Sequence, residues 1–204
     1  MSRFLLTPTL YNSWKYYMSV DPDKEPQKRE EFLATLERRG FEPTPAILKG
    51  QAFEEEVRAQ SEGRLESKSP VVQELGEIVK GGLWQQKLSG EIMVGDRKVL
   101  LYGIADVIKK DTIKDIKRVS TYTEGKCLDS MQHLIYLYLS GLPKFRYLVA
   151  YGSGEAPRDW AAEDYFLTPN TLKQIQSKAA DLFFWLEQTG WIDIYNKNWK
   201  CKEN

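Results

Sequence analysis

The segment LLYGIADVIKKDTIKDIKRV, residues 100–119, carries the residue types best placed to do chemistry in this chain. Two apolar, β-branched runs flank Lys110-Asp111, which is the pattern of a β-hairpin. A turn there sets Lys109 against Thr112 and Val107 against Lys114, and the same register sets Asp106 directly opposite Asp115. Cross-strand neighbours have Cβ atoms roughly 4.5–5.5 Å apart, and like charges at that spacing destabilise a sheet. A divalent cation would offset the repulsion, because paired hard oxygen ligands are what magnesium and manganese prefer. Strand side chains alternate, so Lys117 shares a face with Asp115 while Ile116 points into the opposite layer. An ammonium there can help orient a metal-bound water, favour its loss of a proton by charge, and stabilise charge developing on phosphorus. A one-residue slip of register would put the two aspartates on different faces. A solvated strand face shows the same D-x-K spacing, so the hairpin alone does not decide.

Other segments could add to such a site. GQAFEEEV has Phe53 and Val57 at helical packing distance, so Glu54 could bring a third carboxylate to the hairpin. Alone, the run Glu54, Glu55, Glu56 reads more readily as a charged solvent face. Gln132 and Tyr136 lie four apart on one helical face. Their amide and phenol could hold a phosphate or a lytic water, although such pairs are also ordinary surface groups. His133 beside them reads as a core-edge hydrogen-bonding residue rather than a metal ligand. KKDTIKDIKR has five bases against two acids and NKNWKCKEN three against one, so both could face a polyanion. Trp199, within the second run, could stack on a base or simply pack.

The composition narrows the chemistry further. With 29 basic and 29 acidic residues among 204, the formal charge is zero, which argues against an overall basic coat for nucleic acid. One histidine excludes a multi-histidine centre, so metal chemistry must rest on carboxylates. Cys127 and Cys201 supply neither a disulfide framework nor four ligands for zinc or an iron–sulfur cluster. The reading is a reduced, soluble, cytoplasmic protein: MSRFLLTPTLYNSW has too short an apolar run for a signal peptide, and no stretch could span a bilayer.

The scaffold follows from patterning. Thr7 and Pro8 open a helix with Tyr11, Trp14 and Tyr17 or Met18 on one face. DPDKEP reads as a turn, and QKREEFLATLERRG as a charged helix with Phe32, Leu33 and Leu36 inward and Gly40 as its stop. ILKGQAFEEEVRAQ and, after Ser69-Pro70, VVQELGEIVKGG are two further helices. From Leu83 the pattern turns strand-like in LWQQKLSGEIMV, KVLLYGIADVI and TIKDIKRVS, with breaks at Gly95-Asp96 and Lys110-Asp111. LDSMQHLIYLYLSG is a helix closed by Gly141. KFRYLVAYG and DWAAEDYFLT are strands, and PNTLKQIQSKAADLFFWLEQTG is a long amphipathic helix ending at Gly190. The expected order is helices, a three-strand meander, a helix, a strand pair and a helix, forming one α/β domain.

Taken in order, GQAFE, GIADVI, IKDIK and SMQHLIY resemble the PD-(D/E)xK nuclease superfamily, particularly its RecB-like exonuclease branch and phage-encoded relatives. The resemblance covers residues 50–150, and LTPTLYNSWKYYM looks like that branch's opening helix. It implies a restriction-endonuclease-like mixed central sheet flanked by helices. Within the single domain 1–204, residues 1–45 would be a helical elaboration, 46–152 the catalytic core, and 153–204 a strand and C-terminal helix. Glu54 would be the helix-borne acid, Asp106 the metal-binding aspartate, and Asp115 and Lys117 the acidic ligand and the lysine. The Ile116 carbonyl could also face the metal, and Gln132 and Tyr136 would be the Q-x-x-x-Y pair. Ala105 stands where the family name has proline, no histidine is available in the first helix, and an iron–sulfur cluster has no ligands. The implied activity is Mg²⁺- or Mn²⁺-dependent hydrolysis of DNA, as an exonuclease rather than an endonuclease. An inactive nucleic-acid-binding or assembly module, or an RNA or nucleotide phosphodiesterase, would use the same fold. Analogy with viral relatives admits a homo-oligomer or a recombination partner, and a bacterial host cell for a phage-encoded chain.

Overall fold

A computed structural model describes residues 3–19, 24–40 and 43–201. Its strands are β1 (Arg3–Leu6), β2 (Leu83–Val94), β3 (Arg97–Lys109), β4 (Thr112–Val119), β5 (Lys144–Tyr151), β6 (Asp159–Phe166) and β7 (Lys200–Cys201). The helices are α1 (Pro8–Met18), α2 (Glu25–Leu36), α3 (Pro45–Ser61), α4 (Pro70–Val79), α5 (Met131–Ser140), α6 (Thr171–Gln188) and α7 (Ile192–Trp199).

Local chemistry explains where several helices begin. Thr7, Thr44 and Ser69 each accept the N–H three residues on, and each precedes a proline at the first helical position. Such a hydroxyl satisfies one of the orphan donors of the first turn, where proline has no donor to lose. Ser130 caps α5 by accepting the Gln132 N–H, two residues on, and Gly141 ends the helix in the left-handed conformation, φ +66°.

The seven strands form one mixed sheet, ordered β6-β5-β4-β3-β1-β7, with β2 pairing β3. Side chains alternate between two cores. Ile113, Phe145, Tyr147 and Val149 join the larger one with Leu10, Phe32, Leu182 and Tyr195, beneath α1, α2, α5, α6 and α7. Ile116, Leu148 and Ala150 join the smaller one with Phe53, Val57, Val72 and Leu75 from α3 and α4.

The arrangement around β3 creates the site. β2 pairs antiparallel with β3 from Arg97 to Ile108. The opposite edge of β3 is shared: β4 pairs only with Val107, Ile108 and Lys109, whereas β1 runs parallel to Val99, Leu100 and Leu101. Between those stretches no strand among the described residues pairs with this edge of β3, and the sheet opens into a notch.

Several expectations change. Residues 1–45 are not only a helical elaboration, since β1 is part of the central sheet. RFLL is too short to show a period of two, and pairing with β3 makes it a strand. Helix α2 stops at Leu36, and the left-handed residue beyond it is Arg38, φ +51°, not Gly40. The helix over IDIYNKNW was not anticipated. It buries Trp199, whose indole N–H donates to the Leu36 carbonyl at 2.9 Å, so the ring packs rather than stacks on a base. Asp21 to Asp23 of the expected DPDKEP turn, and Lys202 to Asn204 of the basic tail, lie outside the described residues.

Candidate active site

The hairpin register is as the turn requires for Val107–Lys114, Ile108–Ile113 and Lys109–Thr112. It ends there, so Asp106 and Asp115 are not a directly opposed ladder pair as expected. β4 diverges instead, and the backbone groups freed by the divergence are met by side chains. The Ile116 N–H donates to Asp106 Oδ2 at 3.1 Å, and the Tyr136 hydroxyl donates to the Ile104 carbonyl at 2.9 Å. Buried backbone polar groups must find partners, and here the partners are candidate site residues.

Asp115 is 1% exposed. Its Oδ2 is ion-paired with Lys117 Nζ at 2.8 Å, and its Oδ1 accepts the Gln132 amide. Lys117 remains 38% exposed, and its ammonium lies 5.9 Å from the centre of the Tyr147 ring. Glu54 reaches the notch from α3 and accepts the Gln85 amide at 2.8 Å. The Ile116 side chain is buried in the smaller core, so Ile116 meets the site through its backbone.

The electrostatics mark these groups as one set. Burial first, then Asp115 and Glu54, push the Asp106 pKa up to about 8 against the pull of Lys117 and the Ile116 N–H. Burial and then Asp115 raise Glu54. Burial works against the Lys117 ammonium, but Asp115, and beyond it Asp106, outweigh that and hold its pKa above the ordinary value.

Tyr136 is buried, and its hydroxyl is spent on Ile104, so it braces β3 from below rather than facing the opening. Gly103 explains the approach: a Cβ there would come 2.2 Å from Tyr136 Cε1. His133 is 4% exposed and stacks on Tyr165 at 4.0 Å, and its Nδ1 has no hydrogen-bond partner among the described residues. The expected hydrogen bond is therefore missing at that nitrogen.

The basic run of the hairpin does not form one substrate-facing patch. Lys109 binds the Ile78 carbonyl at the end of α4, Arg118 binds the Gly152 carbonyl, and Lys114 is buried. Alternation of strand side chains scatters charges that are contiguous in sequence. Lys117 of that run instead adjoins a cavity whose walls carry both signs of charge, Asp129 and Glu163 among them. This cavity of about 420 Å³ also adjoins Gln132, with Lys15, Tyr16, Tyr122 and Lys126 in its walls. Cys127 on the same wall is held as a thiol, its pKa pushed up to about 11 by burial and then by Glu163.

Three residues that touch the candidate site residues or their supports carry no role in the sequence analysis: Asn12, Ser130 and Gln85. Asn12 of α1 accepts the Met131 N–H at 3.1 Å and donates to Ser130 Oγ at 3.0 Å, which clamps the end of α5 that carries Gln132. Ser130 was legible as a helix cap before an apolar run, whereas Asn12 and Gln85 carried no signal.

The donors are carboxylate oxygens, the chemistry that hard divalent cations take. Among the described residues no three Asp, Glu, His or Cys side chains close around one point. Mg²⁺ keeps several waters and is commonly held by one or two carboxylates, so the set fits a partly hydrated ion rather than an all-protein cage.

No family model matches the chain, and no curated protein matches it in sequence. Solved structures do resemble it. SSO0001 aligns with a TM-score of 0.54 at 16% identity, over 90% of this chain and 77% of that one. LHK-Exo in complex with dAMP, an alkaline exonuclease from Laribacter hongkongensis, aligns at 0.51 with 11% identity, over 94% and 91%. An exonuclease candidate from Eubacterium rectale aligns at 0.50 with 12% identity, over 95% and 82%. Among the described residues no helix is long and apolar enough to cross a membrane. With its mixed seven-stranded sheet between helical layers, the chain shares the restriction-endonuclease-like fold of these solved structures.

Proposed function

We propose that the chain hydrolyses DNA phosphodiester bonds with the help of a divalent cation, as an exonuclease. One observation carries this reading: the Lys117–Asp115 ion pair sits in the same notch as Asp106 and Glu54, with the ammonium still reachable from the adjoining cavity. DNA as substrate, and exonucleolytic rather than endonucleolytic attack, are favoured because two structures of this fold are named exonucleases and one was solved with a deoxynucleotide.

Asp106 and Asp115 would hold Mg²⁺ or Mn²⁺ directly, with the Ile116 carbonyl as a further oxygen, and Glu54 would hold one of the ion's waters. Such an ion, when bound, lowers the pKa of water and offsets phosphate charge. Lys117 orients the attacking water and steadies charge on the phosphorus oxygens. Gln132 keeps the Asp115 carboxylate in one orientation, and Tyr136 fixes the β3 edge on which Asp106 stands. Lys15 and Lys126 draw the phosphate backbone to the cavity.

The test is incubation with end-labelled linear and closed circular DNA, and with RNA of the same sequence, in Mg²⁺, Mn²⁺ or EDTA. The expected result is metal-dependent loss of linear DNA, abolished by Asp115→Ala and by Lys117→Ala. Cleavage unchanged by both substitutions would remove the proposed site. Nicking of circles would replace the exonuclease with an endonuclease, and preferential loss of RNA would change the substrate.

A further inference from the structure

Gln85 departs from its surroundings in three independent ways. It is the one non-glycine residue inside a described strand with a left-handed backbone, φ +52°; the other two such residues, Arg38 and Lys110, lie beyond a helix end and in a hairpin turn. The β2–β3 ladder skips it: Trp84 pairs Val107 and Gln86 pairs Ala105, leaving Gln85 and Asp106 as the unpaired positions between them. Its amide donates to Glu54 Oε1 at 2.8 Å. The neighbouring Gln86 amide meanwhile takes the Trp84 carbonyl at 2.7 Å, satisfying an acceptor beside the kink.

A left-handed conformation is costly for a side chain with a Cβ, and glycine would adopt it freely. Strain kept at a functional edge needs a return, and the visible one is the contact with Glu54. We propose that Gln85 is a positioning residue, held in a strained kink of β2 so that its neutral amide aims the Glu54 carboxylate at Asp106 and Asp115. This rests on the metal-site reading given above. The choice of an amide has a physical reason. A lysine or arginine at this position would hold Glu54 equally well, but it would neutralise the negative charge a cation needs. An amide N–H fixes direction and leaves the charge in place.

A purely architectural role and a positioning role make opposite demands on the same substitution. Gln85→Gly removes the backbone strain and the amide together. If the kink alone matters, the variant should equal or exceed the wild type in every respect. If Gln85 aims Glu54, the variant should melt no lower than the wild type yet bind Mn²⁺ roughly tenfold more weakly, the loss typical of removing an outer-shell partner. Mn²⁺ affinity is read directly by isothermal titration and by the EPR signal of free ion, with no substrate present. Gln85→Lys should retain the fold and also lose Mn²⁺ affinity, because it replaces orientation with neutralisation. Gln85→Gly and Gln85→Lys both binding Mn²⁺ as tightly as the wild type would overturn the role of Gln85 while leaving the site intact. A wild-type chain that binds no Mn²⁺ would overturn the metal-site reading itself, and Gln85 with it.

Discussion

The Asp106 carboxylate accepts the Ile116 N–H at 3.1 Å, where no strand among the described residues pairs with this edge of β3. One side chain thus satisfies a diverging strand and stands in the candidate site. The divergence keeps Asp106 and Asp115 from facing each other as ladder partners while leaving them close enough to repel.

That repulsion should show in Asp106→Asn. An asparagine can still accept the Ile116 N–H through its side-chain oxygen, but it carries no charge. The Asp106 pKa is pushed up to about 8, above its unfolded value, so ionisation opposes folding and stability falls as pH rises from about 4 towards 8. We expect the metal-free variant to be more stable than the wild type at pH 8, by about 1–3 kcal/mol in urea unfolding. The same variant should lose DNA cleavage. A lower urea midpoint for the variant at pH 8 would contradict the electrostatic account.

Gly103→Ala brings a β-carbon against the Tyr136 ring, where no space exists. Overpacking of this kind costs about 1–3 kcal/mol. Tyr136→Phe should cost about 1 kcal/mol, because it keeps the ring and orphans the Ile104 carbonyl. Combining Gly103→Ala with Tyr136→Leu should recover part of the loss, since the two positions share one contact. Strict additivity in chemical unfolding would show that they do not.

His133 makes stability depend on acid. Burial, and then the charge of Lys178, lower its pKa to about 4, below the unfolded value of about 6.5. The folded chain therefore holds it neutral while the unfolded chain takes up a proton. Its contribution is fully present above about pH 6.5 and is lost as pH falls towards about 4, amounting to on the order of 3 kcal/mol. His133→Phe preserves stacking on Tyr165 and should flatten this part of the stability–pH curve. Equal acid sensitivity in both proteins would place the titration elsewhere.

Lys15 and Lys126 flank the cavity next to Lys117. Replacing either by alanine should weaken DNA binding across sequences and lower the salt dependence by about one unit of log–log slope each. Fluorescence anisotropy with labelled DNA across a salt series reads both effects. An unchanged slope would mean that the backbone takes another path. Metal-free melting should move little in either variant, since both changes lie on the cavity wall.

Much of this protein is written locally. The turn at Lys110-Asp111 sets which residues of the hairpin meet, because a tight turn and the two-residue strand period leave little choice. Thr7-Pro8 and Ser69-Pro70 mark helix starts for an equally local reason, satisfaction of first-turn donors by a side chain close in sequence. The D-x-K pair shares a face because strands alternate, and the ion pair between Asp115 and Lys117 follows. Other features depend on segments far apart in the chain, and no periodicity encodes them. β1 takes the edge of β3 that β4 leaves, and this turns an expected face-to-face aspartate pair into an open notch. Glu54 reaches that notch only because α3 packs Phe53 and Val57 against Ile116. Gln85 meets Glu54 across 31 positions through a strained backbone that propensity argues against. Trp199, at the edge of a basic run, is drawn into the core by the carbonyl of Leu36, 163 positions away. Sequence by itself determined the chemistry on offer, since residue type and short-range geometry are local properties. Tertiary structure decided which of those groups meet, since only packing selects among contacts that a flexible chain could otherwise make at equal cost.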